Sequence, residues 1–419
     1  MLGAIIGDVV GSVYEFDNTK DYNFKMFSSG SSFTDDSILT VAVAEWAMKD
    51  KTFSLTTLEE SLVDFGNRHY DPIGGYGYRM ELWLHNPERL VDYATNLPSK
   101  GRCPYHSFGN GSAMRVSSVG WLFDTLEETE RVAALSASIT HNHREGIKGA
   151  QAVASAIFMA RNGSSKEDIR SYIEHRFHYN LKDSWEYLHD TYSWRDSCQE
   201  TVPQAIIAFL ESTDYEDAIR KAISMGGDSD TIGCITGGIA EAYYQHIPLY
   251  MVQKVMQLLK PDLKDAVVRL AKNSYYKECF DAYISFSVAP TVFTPDNITS
   301  LKDNEVFVFG SNLKGMHAGG AANYAFLHFG AEWGVGVGMA GQTYAIPTMQ
   351  GGVETVKPYV DEFLQFAETH PELKFYVTRI GCGIAGFTDA EIAPLFKKAV
   401  LIHNIVLPES FYNQILLTN

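Results

Sequence analysis

The sequence has few cysteines, no excess of basic residues and no long hydrophobic run, and each absence excludes a class of protein. Its five cysteines are widely spaced without a CxxC pair, which argues against a disulfide framework and structural zinc. A net charge of −17 disfavours general nucleic-acid binding. No stretch approaches the roughly 20 apolar residues of a membrane span. The apolar N-terminus lacks a basic region and reaches Asp8 early, which predicts a buried helix, no signal peptide and a cytoplasmic location.

The residues that are present indicate a packed protein of two domains. Of 419 residues, 45% are hydrophobic and 20% are charged, and this length favours two cores over one. Ala-rich segments that are apolar on all sides predict the core helices of an α-helical domain over residues 1–287. These segments cover residues 37–48, 148–162, 201–212 and 231–244. Clusters of Gly, Asp and Asn at 71–77, 107–112 and 226–233 predict shaped loops.

The pattern changes near residue 288. Short apolar strands then alternate with helices, which predicts a small α/β layer structure over residues 288–419. The predicted strands are EVFVFGSN, TYAIPT, KFYVTRIG and a last strand or turn near NIVLPES. The predicted helices cover residues 321–330, 356–369 and 389–402. The expected fold is therefore multidomain, with an all-α domain followed by an α/β domain.

Two acidic clusters carry the clearest chemical signal. Thr34-Asp35-Asp36-Ser37 and Gly226-Gly227-Asp228-Ser229-Asp230-Thr231 each open a predicted helix. Taken alone, each cluster is as consistent with ordinary helix capping as with a functional site. Together, four carboxylates at two buried helix ends would repel one another unless a cation lay between them. Hard oxygen ligands without His or Cys favour Mg²⁺, with Mn²⁺ as the alternative, over Zn²⁺.

Five motifs in order resemble the ADP-ribosylglycohydrolase family. They are GAIIGDVVGSVYE, FTDDS, GNGSAMRV, ITHNHREGIKGA and GGDSDTIGCITGGIAEAYY, and they span about residues 1–285. The resemblance implies an all-α fold with two Mg²⁺ ions. By motif position, one side of the metal centre would consist of Thr34, Asp35 and Asp36. The other side would consist of Asp228, Asp230 and Thr231; Ser37 stands where the family often has Thr.

The family reaction is hydrolysis at the distal ribose C1 of an ADP-ribosyl group. Its oxocarbenium-like transition state calls for stabilised positive charge on the sugar and for a carboxylate that acts as acid or base. In the branch that acts on ADP-ribosylserine, the Glu of GSxYE has this role, which corresponds to Glu15. In the arginine-directed branch a paired Asp has it, which leaves Asp35 or Asp36 as the competing assignment. Asp8 is either a structural cap or a group that orients a metal ligand.

The substrate side of the predicted site is a glycine-rich loop. The loop resembles the diphosphate loop of the family, in which backbone amides approach phosphate oxygens. Its predicted substrate-binding residues are Ser107, Phe108, Gly109, Asn110 and Gly111. His141 stands where the family places a histidine near the ligand, whereas His143 is a weaker candidate. The aromatic residues from Trp185 to Trp194 are interpreted as packing surface, with lining of the substrate cleft as the alternative.

The second domain resembles macrodomains, which bind ADP-ribose. Two strands there end in glycine-rich loops that lead into helices, as in α/β phosphate sites. The predicted ligand-binding residues are Asn312, Gly319, Gly320, Gly381, Gly383, Ile384 and Gly386. RIGCGIAG lacks the Ser-Thr of the family, and the first loop has His317 and Ala318 where Gly is common. Cys382 has no basic neighbour in sequence and is expected to be inert, and His317 is a weaker candidate for ligand contact.

The combined expectation is a hydrolase that releases ADP-ribose, fused to an ADP-ribose-binding domain. The partner would be an ADP-ribosylated protein or a small ADP-ribose conjugate. One alternative is a non-catalytic ADP-ribose receptor, and another is a hydrolase of a small conjugate such as O-acetyl-ADP-ribose. The sequence leaves open the acceptor, the general base, the oligomeric state and any activity of the second domain.

Overall fold

The structure is a computed structural model that describes residues 1–272, 274–276, 292–402 and 404–417. The chain divides into two compact units, Met1–Asp281 and Ala282–Asn419. The boundary predicted near residue 288 lies outside the described residues. No helix within the described ranges is long and apolar enough to cross a membrane.

Helices joined by loops form the described part of the first unit, which contains no β-strand there, as its periodicity predicts. Two 3₁₀ turns, Pro87–Arg89 and Ser117–Trp121, connect α-helices. The α-helices are α1 (Leu2–Gly11), α2 (Asp35–Lys49), α3 (Leu55–Arg68), α4 (Tyr78–His85), α5 (Gly111–Met114), α6 (Leu126–Ser138), α7 (Arg144–Arg161), α8 (Lys166–Phe177), α9 (Trp185–Thr191), α10 (Cys198–Leu210), α11 (Tyr215–Ser224), α12 (Ser229–Tyr244), α13 (Leu249–Leu258) and α14 (Pro261–Lys272). The four Ala-rich segments fall within α2, α7, α10 and α12, to within two residues at their ends.

Helix α1 packs directly against α12 through glycines. Every residue of α1 is buried. A Cβ on Gly7 would lie 1.9 Å from the carbonyl oxygen of Gly233, and one on Gly11 would lie 2.5 Å from Cα of Asp230. Only glycine allows the two backbones to approach this closely. The contact brings the C-terminal end of α1 against the first turn of α12.

The second unit contains one five-stranded sheet. Its strands are β1 (Glu305–Ser311), β2 (Gly338–Ala340), β3 (Thr343–Pro347), β4 (Lys374–Val377) and β5 (Ile405–Val406). The order is β2-β3-β1-β4-β5, and only the pairing of β2 with β3 is antiparallel. Its helices are α15 (Gly320–His328), α16 (Lys357–Thr369), α17 (Asp389–Ile392) and α18 (Glu409–Leu417), with 3₁₀ segments Val353–Thr355 and Ala393–Leu401.

Both faces of the sheet are covered, which explains the continuous apolar run VFVF. Val306 and Val308 belong to one core cluster, and Phe307 and Phe309 belong to the other. Successive side chains of a strand point to opposite faces, so a strand buried on both sides has no polar alternation.

Three details of the second unit differ from the sequence prediction. The short strand β2 and the helix α18 were not predicted. The predicted helix over 389–402 is a short α-helix followed by a 3₁₀ segment that begins at Ala393. Pro394 accounts for the change, because proline has no amide hydrogen to continue the α-helical pattern.

Candidate active site

Both acidic clusters open into one cavity of about 560 Å³ in the first unit. The start of α2 contributes Asp35 and Asp36, and the start of α12 contributes Asp230 and Thr231. Thr231 Oγ1 donates to Asp36 Oδ2 at 3.2 Å, which joins the two helix starts directly. The cavity that the sequence prediction requires for Asp35 and Asp230 is therefore present.

Glu15 completes the acidic cluster from the loop after α1. A carboxylate oxygen from each of Glu15, Asp228 and Asp230 lies within 4.8 Å of the others. Glu15 Oε2 and Asp36 Oδ1 are buried without a hydrogen-bond partner among the described residues. The Glu15 side chain fits in this position because residue 74 is glycine. A Cβ on Gly74 would lie 2.7 Å from Glu15 Oε2. Clustered all-oxygen donors with orphaned atoms are a set that suits a hard divalent cation.

The electrostatics of the cluster lead to the same inference. Burial, followed by the charges of Asp230 and Asp8, raises the pKa of Glu15 to about 8. Burial and then the charge of Asp230 raise the pKa of both Asp35 and Asp36 well above the ordinary range. Carboxylates held this close in a buried site must bind either protons or cations.

Asp8 caps helix α2 from outside that helix, which supports the structural alternative for this residue. Its carboxylate accepts from the amide of Thr34 at 3.0 Å, from Thr34 Oγ1 at 2.7 Å and from the amide of Ser37 at 3.1 Å, and it also accepts from Ser37 Oγ. Thr34 Oγ1 in turn accepts from the amide of Asp36 at 3.2 Å. Thr34 is fully buried and does not line the cavity, unlike the other predicted metal ligands.

Asp228 precedes α12 but makes no side-chain cap hydrogen bond. Its Oδ2 accepts instead from Asn110 Nδ2 at 2.6 Å. Burial raises the pKa of Asp228 to about 6. The capping interpretation therefore fails for Asp228, whose carboxylate faces the cavity, while it holds for the α2 cluster through Thr34 and Asp8.

Two residues that the sequence analysis missed connect the Glu15 loop to the turn before Asp228. Asn18 Nδ2 donates to the carbonyls of Glu15 at 3.0 Å and Gly227 at 2.9 Å, and its Oδ1 accepts from the Gly227 amide at 2.8 Å. Lys20 Nζ donates to the carbonyl of Met225, directly before that turn, at 2.5 Å, and to the carbonyls of His189 and Tyr192. Asn18 can bridge these two segments because Gly227 has a φ of 81°, a conformation that glycine tolerates.

The predicted substrate loop borders the same cavity with one exception. Its lining residues include Ser107, Gly109, Asn110, Gly111 and His141. Phe108 does not line the cavity; its ring is 48% exposed and packs 5.3 Å from that of His143. His143 itself caps α7 through Nδ1, so the Phe108 ring packs against a capping residue, and its role in substrate binding stays a prediction.

Further lining residues come from segments that the sequence analysis described only as loops or packing surface. The Gly-rich stretch at 71–77 and the start of α4 contribute Gly74, Gly75, Tyr76, Gly77, Tyr78, Arg79 and Met80. Phe16 and Trp194 stack at the cavity with ring centroids 5.7 Å apart. Trp194 lines the cavity, which agrees with the alternative that the aromatic stretch from Trp185 to Trp194 lines the substrate cleft. The glycine cluster was the only sequence signal for this wall.

The second unit has its own cavity of about 300 Å³ at the carboxyl ends of β1, β3 and β4. The predicted residues that line it are Asn312, Gly319, Gly320, Gly381, Gly383 and Ile384. Gly386 does not line it. His317 is fully buried and uses Nε2 to hold the carbonyls of Glu332 and Val335, so a structural role replaces the suggested ligand contact. Burial raises the pKa of Cys382 to about 12, in agreement with an inert thiol.

The first unit is a helical domain with a cavity lined by clustered carboxylates. A family model described as ADP-ribosylglycohydrolase matches residues 1–281, more than half of the chain. The chain therefore belongs to the ADP-ribosylglycohydrolase family and is a hydrolase that acts on ADP-ribose linkages. This confirms the resemblance for the first unit. The match does not extend to the second unit, whose resemblance to macrodomains stays a prediction.

Several relatives align with this chain over most of their own length. The ADP-ribosylhydrolase ARH3 of Bos taurus is 26% identical over 58% of this chain and 83% of its own, and that of Homo sapiens is 26% identical over 58% and 84%. The ADP-ribosylarginine hydrolase Tri1 of Pseudomonas putida is 23% identical over 61% and 72%. A solved structure described as an ADP-ribosylglycohydrolase-related protein complex aligns with a TM-score of 0.49 and 20% identity, over 65% of this chain and 95% of that one.

Proposed function

We propose that the first unit is a magnesium-dependent hydrolase that releases ADP-ribose by cleaving the bond at the distal ribose C1. The observation that carries the proposal is the convergence of Glu15, Asp228 and Asp230 within 4.8 Å, in a cavity that Asp35 and Asp36 also line. Family membership supports the ADP-ribosyl substrate. The metal identity, the number of ions and the residue roles below belong to the proposal.

Two Mg²⁺ ions, with Mn²⁺ as the alternative, suit the oxygen donors of the two helix starts. The proposed ligands are Thr34, Asp35, Asp36, Asp228, Asp230 and Thr231. Thr34 is the weakest member, because its hydroxyl already donates to Asp8 and accepts from the Asp36 amide. When bound, the ions would supply Lewis-acid charge that orients the ribose hydroxyls and lowers the pKa of a nearby water.

Glu15 is the proposed proton-transfer group. It lines the cavity beside Asp228 and Asp230, and burial makes its carboxylate more basic than a solvated one. Glu15 can take a proton from the water that attacks C1 and pass it to the acceptor atom as the C1 bond breaks. Asp35 and Asp36 remain the competing assignment for this role.

The remaining walls of the cavity suit the rest of an ADP-ribosyl group. The loop of Ser107, Gly109, Asn110 and Gly111, with His141, provides polar groups for the diphosphate. Asn110 also donates to Asp228, so one loop touches both the ligand region and the acidic cluster.

The proposal assigns ADP-ribose binding to the cavity of the second unit. Parallel strand ends that open into glycine-rich loops are a common place for phosphate groups in α/β folds.

Ile384 is 76% exposed at this cavity, and Leu313 is 53% exposed outside it. Titration of ADP-ribose into the full chain should give two sites. Ile384→Glu should remove one site and Leu313→Glu should keep both; unchanged stoichiometry for Ile384→Glu would refute the assignment.

The first-unit proposal is tested with Arg-linked and Ser-linked ADP-ribosyl peptides, with and without Mg²⁺, by detecting free ADP-ribose. Release that needs Mg²⁺ and stops with EDTA supports the enzyme over a non-catalytic receptor. Asp228→Ala should abolish release in a folded protein, whereas Asp265→Ala, at an exposed position outside the cavity, should not. Wild-type rates in Asp228→Ala would remove this residue from the ligand set. Release from O-acetyl-ADP-ribose alone would favour the small-conjugate alternative.

We also propose a cytoplasmic location. The described cysteines, Cys103, Cys198, Cys234 and Cys382, are all free thiols, which suits a reducing compartment. Fractionation of the native host cell, with antibody detection of the chain, tests this location.

A further inference from the structure

A buried hydrogen-bond chain connects Arg115 through Thr140 to His141 at the cavity wall. We infer that Arg115 and Thr140 are positioning residues that fix His141 as a neutral Nε2–H donor toward an anionic oxygen of the ligand. The inference concerns the diphosphate end of the proposed substrate, and in that respect it rests on the proposed function. The tautomer of His141 follows from the protein alone.

The proton positions follow from what each group can donate. Arg115 Nη2 donates to the carbonyl of Ser136 and to Thr140 Oγ1, each at 2.8 Å. A guanidinium only donates, so Thr140 Oγ1 is the acceptor of that bond. Thr140 Oγ1 lies 2.8 Å from His141 Nδ1, and its second lone pair and its proton allow that bond in either direction. We infer that the hydroxyl proton goes to Nδ1, because this arrangement leaves the ring proton on the nitrogen that faces the open glycine loop. Because Nδ1 accepts, the proton of the neutral imidazole is on Nε2.

The nitrogen that carries the proton faces the substrate loop. His141 lines the cavity, and its Nε2 lies 3.1 Å from the position of a Cβ on Gly111 and 3.7 Å from that on Gly109. No hydrogen bond to Nε2 is formed within the described part of the chain. The glycines leave space at this donor, which places it in the loop proposed to hold the diphosphate.

Arg115 adds an uncompensated positive charge beside this loop. It is fully buried and lines the cavity, and its Nε and Nη1 have no hydrogen-bond partner among the described residues. Burial and the charge of Arg115 hold the pKa of His141 well below its ordinary value, so the imidazole stays neutral. A buried cation without a counter-ion is costly unless an anion compensates it. An anionic oxygen that accepts from His141 Nε2 would also interact favourably with the buried charge of Arg115, which acts on the His141 ring.

The tautomer is tested by nitrogen NMR of the full-length protein labelled at histidine. The chain has 13 histidines, so the signals of His141 are identified by their loss in His141→Phe. We expect a protonated Nε2 and an unprotonated Nδ1 in the wild type, and a loss of this single state in Thr140→Val. An Nδ1–H tautomer in the wild type would overturn the inference.

The effect on binding is tested by calorimetry with ADP-ribose as the probe. Thr140→Val should weaken binding about tenfold, and Thr140→Ser, which keeps the hydroxyl, should restore it to within about twofold. In a His141→Phe background, Thr140→Val should add nothing, because its effect passes through the ring. Equal losses in both backgrounds would show that Thr140 acts only through the fold, and would overturn its positioning role.

These measurements separate the inference from the proposed function. Failure of the wild type to bind ADP-ribose at either unit would refute the proposed function, while the nitrogen spectrum would still decide the tautomer. Conversely, normal hydrolysis together with an Nδ1–H tautomer would leave the proposed function intact and refute the inference.

Discussion

The acid–base character of Glu15 comes from its surroundings and not from the residue type. A solvated glutamate is ionised at neutral pH, whereas burial beside Asp230 and Asp8 raises the pKa of Glu15 to about 8. Without cations, the carboxyl therefore holds a proton that a departing group can accept. Cations among the neighbouring carboxylates would offset the repulsion and lower this pKa again.

Glu15→Gln tests the proton-transfer role. We expect ADP-ribose release to fall by roughly 10²-fold or more, because the amide cannot exchange a proton, while ADP-ribose still binds. Turnover and calorimetry measure the two effects separately. Glu60→Gln, at an exposed position on α3, is the matched control and should behave as wild type. Unchanged turnover in Glu15→Gln would transfer the role to Asp35 or Asp36.

Asn18 is predicted to act by holding Glu15 near Asp228. Asn18→Ala removes the bonds to the carbonyl of Glu15 and to both backbone groups of Gly227. We expect kcat to fall about tenfold or more with little change in KM, because the ligand loop at 107–111 is untouched. Asn180→Ala, at an exposed position in the same unit, is the control. A rise in KM alone would argue against this role.

At the scale of elements, the contact between α1 and α12 places the acidic residues. The close approach at Gly7 and Gly11 brings the end of α1, which carries Asp8, next to the first turn of α12, which carries Asp230. Asp8 then caps α2 and so sets the position of Asp36. Three helix ends are thus brought together by glycine packing and one buried carboxylate.

Gly7→Ala should therefore damage both stability and the site. The added Cβ would lie 1.9 Å from the Gly233 carbonyl oxygen, a backbone atom that can move only with the whole helix. We expect a loss of about 3 kcal/mol or more in the free energy of unfolding, measured by chemical denaturation. Gly101→Ala has open space around the new methyl group and should stay within about 0.5 kcal/mol of wild type.

At the scale of the whole molecule, the carboxylate cluster links stability to pH. The pKa values of Asp8 and Asp228 are raised to about 6 and that of Glu15 to about 8, above their values in an unfolded chain. The folded protein then binds more protons than the unfolded chain between roughly pH 4 and pH 8. For these groups, the stability without cations is fully present at acid pH and is lost as pH rises through that window.

Mg²⁺ should offset the loss of stability that occurs as the pH rises. Thermal unfolding of the metal-free protein should shift to lower Tm from pH 5.5 to pH 8. At a concentration of about one hundred times its Kd, Mg²⁺ should raise Tm by roughly 5 to 10 °C at pH 8, and less at pH 5.5, because it competes with protons. Asp228→Asn should lose most of the Mg²⁺ effect, and Asp265→Asn should keep it. A Tm independent of Mg²⁺ at pH 8 would contradict a cation site.

Local patterns were enough to predict much of this molecule. Helical periodicity located α2, α7, α10 and α12, and the change to short apolar strands identified an α/β second unit. The acidic clusters and the glycine loops were visible as residue types at helix starts and strand ends. These predictions worked because capping, propensity and apolar periodicity depend mainly on residues within a few positions of one another.

Other features depend on residues that are distant in sequence. Asp8 lies in the last turn of α1 and Asp228 directly precedes α12, yet Asp8 accepts amides of α2 and Asp228 faces the cavity beside Asn110. The bridge formed by Asn18 was equally invisible, because its partner Gly227 lies in a remote turn.

The amino-acid sequence by itself therefore determined the helices, the α/β character of the second unit and the supply of oxygen donors. Only the tertiary structure decided that Asp36 meets Thr231, that burial beside Asp230 raises the pKa of Glu15 and that Arg115 reaches Thr140 beside His141. The physical reason is that desolvation and Coulomb interactions depend on neighbours in space. Those neighbours are set by long-range packing, here the glycine contact between α1 and α12.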